Sequence, residues 1–200
     1  MRPFHAQLAI AALLILGLAA CGKNNAVTSE DMTLGNPNAK VTVIEYASVA
    51  CPHCGKWYNE VFPAFKAKYI DTGKIHFVAR EFLTGDPSLA AAGFLLARCA
   101  GKDKYFDVVG AIYHSQPGVF EEPRATLLRI AQSVGMNEAQ FLACTSNDQA
   151  ILALQKRVEK YAKEDGINST PTFVINGKTL VGEESLANID AAIAAAQAGK

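Results

Sequence analysis

The chain has 200 residues, half of them hydrophobic, and its 19 Lys plus Arg are balanced by 19 Asp plus Glu. That length suits one domain plus a targeting segment, with enough apolar surface for a core that needs no metal or extra staples. A formal net charge of zero argues against a basic face for nucleic acid and against a polybasic membrane patch.

The first twenty residues read as a leader rather than as fold. A short basic start, Met1 to His5, precedes an uncharged, mostly apolar run from Ala6 to Ala20. The run is short for a membrane span, which needs about 17–25 residues, and suits the apolar region of a signal peptide. It ends in Leu18-Ala19-Ala20-Cys21, which resembles the lipobox of bacterial lipoproteins. That resemblance implies cleavage before Cys21, a lipid on Cys21 and anchorage to the bacterial membrane from the periplasmic side. Ordinary signal cleavage nearby, leaving a soluble protein with a spare Cys, is the alternative. Gly22 to about Thr33 is polar and weakly patterned, as a flexible tether is. The expected organisation is therefore a leader over 1–20, a tether over 21–32 and one domain over 33–200.

Within that domain, Val41 to Ala47 is β-branched and nearly all apolar, the pattern of a strand buried on both faces. From Cys51 to about Ile70, Trp57, Val61, Phe62, Phe65 and Tyr69 recur at helical spacing, with Pro63 expected to kink the helix. Lys74 to Arg80 reads as a second strand, completing a βαβ unit.

A helical block follows. Asp86-Pro87 is an N-cap and first-turn proline opening a helix through Cys99. Further helices are expected over Lys102 to His114 and Pro123 to Val134, the second stopped by Gly135. Asn137 with Gln140 resembles a capping box, and Ser146 with Gln149 resembles another, opening a long helix to about Asp165. Thr172 to Ile175 and Lys178 to Val181 flank Asn176-Gly177, the strongest short signal for a hairpin. Ser185 to Ala198 closes the chain as a helix. The sum is an α/β fold, βαβ then helices then ββα, with core segments over about 33–83 and 150–200 around an insertion over about 84–149.

Five cysteines are an odd number, and Cys21 accounts for the odd one. The remaining four allow three pairings. The natural partition joins Cys51 to Cys54 and Cys99 to Cys144, although Cys99 and Cys144 also suit two free thiols in the core.

Cys51-Pro52-His53-Cys54 follows a strand and begins a helix. Unpaired N–H groups and the positive end of the helix dipole lie there, and both favour a thiolate. Cys51 should be acidic and reactive, and Cys54, one turn in, more buried. His53 is either a donor or positive charge beside the sulfur, or a solvated helix residue. Zinc would need four suitably placed ligands, and haem attachment would need His where Gly55 stands. Cu(I) suits thiolates, so a copper-binding lipoprotein remains a rival reading, short of nearby Met and His ligands.

The motif and the layout resemble the DsbA-type family of thioredoxin-fold oxidoreductases over roughly residues 33–200. Cys51-Pro52-His53-Cys54 is the motif typical of the oxidase members. The resemblance implies that Glu45 is a buried acid beneath the active site, serving as proton acceptor for Cys54. Without it, Glu45 reads equally as a strand-end residue reaching solvent. Thr170-Pro171-Thr172 matches the family's cis-proline loop. Oxidases often carry Val before that proline and isomerases often Thr, so Thr170 keeps isomerase or reductase chemistry in view. The implied function is a monomeric thiol–disulfide oxidoreductase that oxidises reduced client proteins and is reoxidised by a quinone-linked membrane partner. It would need no organic cofactor and no metal.

Overall fold

The structure, a computed structural model, describes residues 26–199. The leader and Cys21 lie outside the described residues. Five strands, β1 (Met32–Gly35), β2 (Thr42–Ala47), β3 (His76–Glu81), β4 (Thr172–Ile175) and β5 (Lys178–Val181), form one sheet in the order β1-β3-β2-β4-β5. β2 and β3 run parallel and every other pair is antiparallel. The parallel pair is joined through α1 (Pro52–Glu60) and α2 (Phe62–Phe65), so the βαβ unit is present. Instead of a simple kink at Pro63, the helix breaks at Val61 and ends in a π-helical turn over Lys66–Ile70. Pro63 offers no N–H to continue the ladder, which is why the break falls here. The β4–β5 turn places Asn176 and Gly177 at φ 44° and 92°, the left-handed pair a type I′ turn demands.

Six helices stand between β3 and β4: α3 (Pro87–Cys99), α4 (Lys102–His114), α5 (Gln116–Glu121), α6 (Pro123–Ser133), α7 (Glu138–Thr145) and α8 (Asp148–Glu164), and α9 (Leu186–Gln197) follows β5. Asp86 caps α3 through Ser88 and Leu89 N–H groups, and Asn137 with Gln140 forms a full capping box on α7. The expected Ser146 box is not used. Asn147 caps α8 by accepting from Ala150 N–H, while the Ser146 hydroxyl donates back to Leu142. Cys99 and Cys144 are joined by a disulfide between α3 and α7, with Cys99 at the protein surface.

Alternation along β2 divides the core. Val43 faces a cluster with Trp57, Phe65, Phe77, Phe173 and Ile189. Ile44 and Tyr46 face the opposite layer, closed by Val78, Val174 and Tyr161 of α8. A third cluster fills the helical block and reaches Cys51 and Cys54. Among the described residues no helix is long and apolar enough to cross a membrane.

The expected tether ends earlier than residue 32. Met32 is buried in β1, and Asp31 beside it is buried against Arg80 of β3, Nε to Oδ1 3.1 Å. Arg80 also reaches Asp165 at 3.1 Å and donates to the Ala26 carbonyl at 2.8 Å, so the arm from residue 26 is pinned to the sheet. The polar composition that suggested a tether reflects an ion pair whose partner lies 49 residues away.

Candidate active site

The chain leaves β2 at Ala47 and turns through Ser48–Ala50 into α1. Cys51 is the N-cap, with extended backbone (φ −97°, ψ 119°), and Pro52 supplies the first turn, where its missing N–H costs nothing. Gly55 lies against Gln116: a Cβ built on it would stand 2.1 Å from the Gln116 Oε1. The Gln116 amide in turn donates to the carbonyls of Val49 (3.0 Å) and Cys51 (2.9 Å), clamping the turn that carries the first cysteine.

Both cysteines are thiols, and their surroundings pull them in opposite directions. The Cys51 thiol is lowered to about 5. A hydrogen bond from Cys54 is the main cause, opposed by burial and assisted by Thr170 and by the N–H groups of Cys54 and His53. Cys54 is fully buried, and loss of hydration pushes its thiol far up despite the Ser48 N–H, 3.5 Å from its sulfur. One sulfur is therefore a stable thiolate and the other a proton-holding thiol.

Thr170-Pro171 is a cis peptide bond. The Thr170 carbonyl oxygen stands 3.5 Å from the Cys51 sulfur, and the Thr170 hydroxyl hydrogen-bonds that of Thr84. Thr84 is itself held through its carbonyl by the Ser48 hydroxyl at 2.7 Å. Glu45 is buried, not solvent-reaching, and burial raises its carboxyl to about 8. It lines a cavity of about 20 Å³ with Tyr58, Phe94, Tyr105 and Tyr113, a space that can hold one water. The Tyr113 phenol beside it is buried, and loss of hydration holds its proton well above the ordinary phenol range.

His53 departs from the expectation that its ring sits beside the sulfur. The ring is mostly exposed and paired with Glu183, and only the backbone N–H of His53 serves Cys51. Sequence reasoning missed Gln116, Thr84 and Glu183. A proline in the first turn after Ser115 was a signal for α5, whereas Thr84 and Glu183 carry no local mark.

The family model described as thioredoxin matches residues 27–195. A putative protein-disulfide oxidoreductase of Rickettsia conorii is 35% identical over 170 residues, covering 84% of this chain and 60% of its own length. The chain thus spans about 60% of the Rickettsia relatives it matches. A probable disulfide bond formation protein D of Bacillus cereus is 31% identical, covering 56% of this chain and 57% of its own. Among solved structures, alpha-DsbA1 of Wolbachia pipientis superposes with a TM-score of 0.81 at 25% identity, covering 90% of this chain and 96% of that one. The fold, the match across most of the chain and these relatives together place the chain in the thioredoxin-like family, among its DsbA-type members with a helical insertion.

Proposed function

We propose that the protein is a thiol–disulfide oxidoreductase working as a dithiol oxidase on exported proteins, with Cys51 and Cys54 as the reacting pair. The observation that carries this reading is the opposed ionisation of the two thiols, Cys51 near 5 and Cys54 far above its ordinary value. A stabilised thiolate favours the reduced enzyme, which makes the disulfide oxidising.

In the oxidised enzyme a client thiolate attacks the Cys51 sulfur. The Cys51–Cys54 bond breaks and its electron pair leaves on Cys54, whose environment demands a proton. Glu45, holding its proton up to about 8, is the donor on that side of the motif. A second client thiolate attacks the client sulfur of the mixed disulfide, and Cys51 leaves as thiolate. The client loses two electrons and gains a disulfide, and the enzyme is left as the dithiol. In this reading a quinone-linked membrane partner takes those electrons away, and a lipid on Cys21 holds the enzyme at the membrane of the periplasm.

The deciding experiment is equilibration of the Cys51–Cys54 pair with glutathione. An oxidase should lie nearer the value of about −120 mV for DsbA than that of about −270 mV for thioredoxin. A potential below about −230 mV turns the reading into a reductase. Thr170 before the cis proline favours a second reading, disulfide isomerisation with the same pair, which scrambled client protein would reveal. The copper alternative loses support from its candidate sulfurs, since Met32 is buried in β1 and Met136 packs against the helical core.

A further inference from the structure

The segment after β5 is strapped across the first turns of α1. The Glu183 carboxylate pairs with Nδ1 of His53 and with Nζ of Lys56, the latter at 2.8 Å. The Glu184 carbonyl accepts from Trp57 Nε1 at 3.0 Å. The Gly182 N–H donates to the Pro171 carbonyl at 2.9 Å, so the same segment holds the opposite wall of the site. None of the chemistry above uses Glu183.

Its place gives it a consequence. His53 stands between the two cysteines, and Lys56 is two residues beyond Cys54 on the same helix. A cation at this end of the helix favours a thiolate on Cys51, and a carboxylate bonded to that cation opposes the effect. The groups facing Glu183 are His53 and Lys56. Glu60 acts on Lys56 from the next turn, and Glu184 is occupied with Asn188 at 2.8 Å.

We propose that Glu183 tunes the Cys51–Cys54 pair: its carboxylate holds the imidazole of His53 away from the sulfur and offsets the charge of His53 and Lys56, restraining the oxidising strength of the disulfide. Glu183 is a positioning residue, because it touches no reacting atom. The inference rests on the reading of Cys51 and Cys54 as a redox pair. The sign follows from the order of ionisation. Cys51 ionises near 5, and the charges of Lys56 and His53 both act on the Glu183 carboxylate. Glu183 is held below the usual carboxylate range by Lys56 and His53, so it is charged there too. Removing its charge leaves two cations uncompensated and frees the imidazole to approach Cys51. The thiolate gains, and the disulfide becomes a stronger oxidant.

The test uses Glu183→Gln, His53→Ala and the double variant. Thiolate absorbance gives the Cys51 midpoint between about pH 3 and 7, the range spanning its ionisation, and glutathione equilibration gives the redox constant. In Glu183→Gln the midpoint should fall by about half a pH unit, roughly threefold in the thiolate-to-thiol ratio, as expected for one charge acting across partly solvated surface. The redox constant should move by about the same factor toward the reduced enzyme. In the His53→Ala background the shift should shrink to the direct effect of the charge alone. An unmoved or raised midpoint in Glu183→Gln, or an equal shift in both backgrounds, overturns the inference. A wild-type pair that does not exchange with glutathione, with the midpoint still falling in Glu183→Gln, overturns the redox reading and leaves the tuning of Cys51 standing.

Discussion

The Cys51 sulfur lies 3.5 Å from the Thr170 carbonyl, joining two residues 119 positions apart in the chain. The first belongs to the motif at the start of α1 and the second to the loop that opens β4. The reactive sulfur is thus presented between two supported segments, with Gln116 beneath the motif and Thr84 beside the loop, and Ser48 of the motif turn tying Thr84 to it.

The lowered Cys51 thiol makes reduced-state stability depend on pH. The folded value, about 5, is below the ordinary 9.0, so the contribution is present above the ordinary value and lost as pH falls through 5. At pH 7 the difference corresponds to about 2–3 kcal/mol for this buried sulfur. Urea unfolding of reduced and oxidised protein should show the advantage of the reduced form shrinking by about 2 kcal/mol between about pH 7 and 4. A constant difference over that range would remove the thiolate argument.

Glu45 behaves in the opposite sense. Its folded value is raised to about 8 from 4.5, so the unfolded chain ionises first and stability drains away as pH rises between those values. At pH 7 the burden is about 3 kcal/mol. Glu45→Gln should therefore stabilise the protein by an amount of that order near neutrality and change little near pH 4. It should also slow the step in which Cys54 takes up a proton, read as slower formation of the mixed disulfide with client. Equal stability of variant and parent at neutrality would show that the carboxyl is ionised at no cost.

The features legible from sequence were those whose partners are close in the chain. Asp86, Asn137 and Asn176-Gly177 mark their elements by contacts within four residues, and Cys51-Pro52-His53-Cys54 is itself local. The features that escaped depend on distant chain. Asp31 looked like tether until Arg80 of β3 was seen to bury it, and Ser146 looked like a cap until Asn147 proved better placed. Gln116 has its two acceptors 65 and 67 residues away, a relationship no periodicity encodes.

Gln116 should be costly to remove. Gln116→Ala leaves the Val49 carbonyl without its buried donor and removes one of the two donors to Cys51, which keeps the Gly55 N–H, a loss of about 1–3 kcal/mol. Gly55→Ala should do similar damage by displacing the same amide, at about 1–3 kcal/mol. Thermal unfolding of the two single variants and the double variant tests this. The effects should be markedly less than additive, since both act on one clamp.

The arm from residue 26 should report on Arg80. Arg80→Met leaves the carboxylates of Asp31 and Asp165 buried without their cation, which costs about 3–5 kcal/mol. The arm should then be cut by protease near Thr28 under conditions where the parent resists. Unchanged resistance would mean that Met32 packing, not the ion pair, holds the arm.

The last prediction concerns the bridge between α3 and α7. Cys99 and Cys144 close a segment of 45 residues, for which the chain-entropy estimate is about 4 kcal/mol at most. Replacing both by Ala should lower the unfolding temperature accordingly. Cys99 lies at the surface, which leaves its sulfur open to exchange. Dithiothreitol should therefore open the bond without denaturant, and alkylation followed by mass spectrometry would detect it. The consequence for the active site turns on α3. That helix runs from Cys99 back to Gly93, where a Cβ would stand 2.7 Å from Val49, two residues before Cys51. Because α3 is also held by its Asp86 cap and by α4, opening one end should leave Gly93 in place and the Cys51–Cys54 potential nearly unchanged. A shift beyond about 30 mV, roughly tenfold in the exchange constant, would mean instead that the bridge sets the position of α3 against the Cys51 turn.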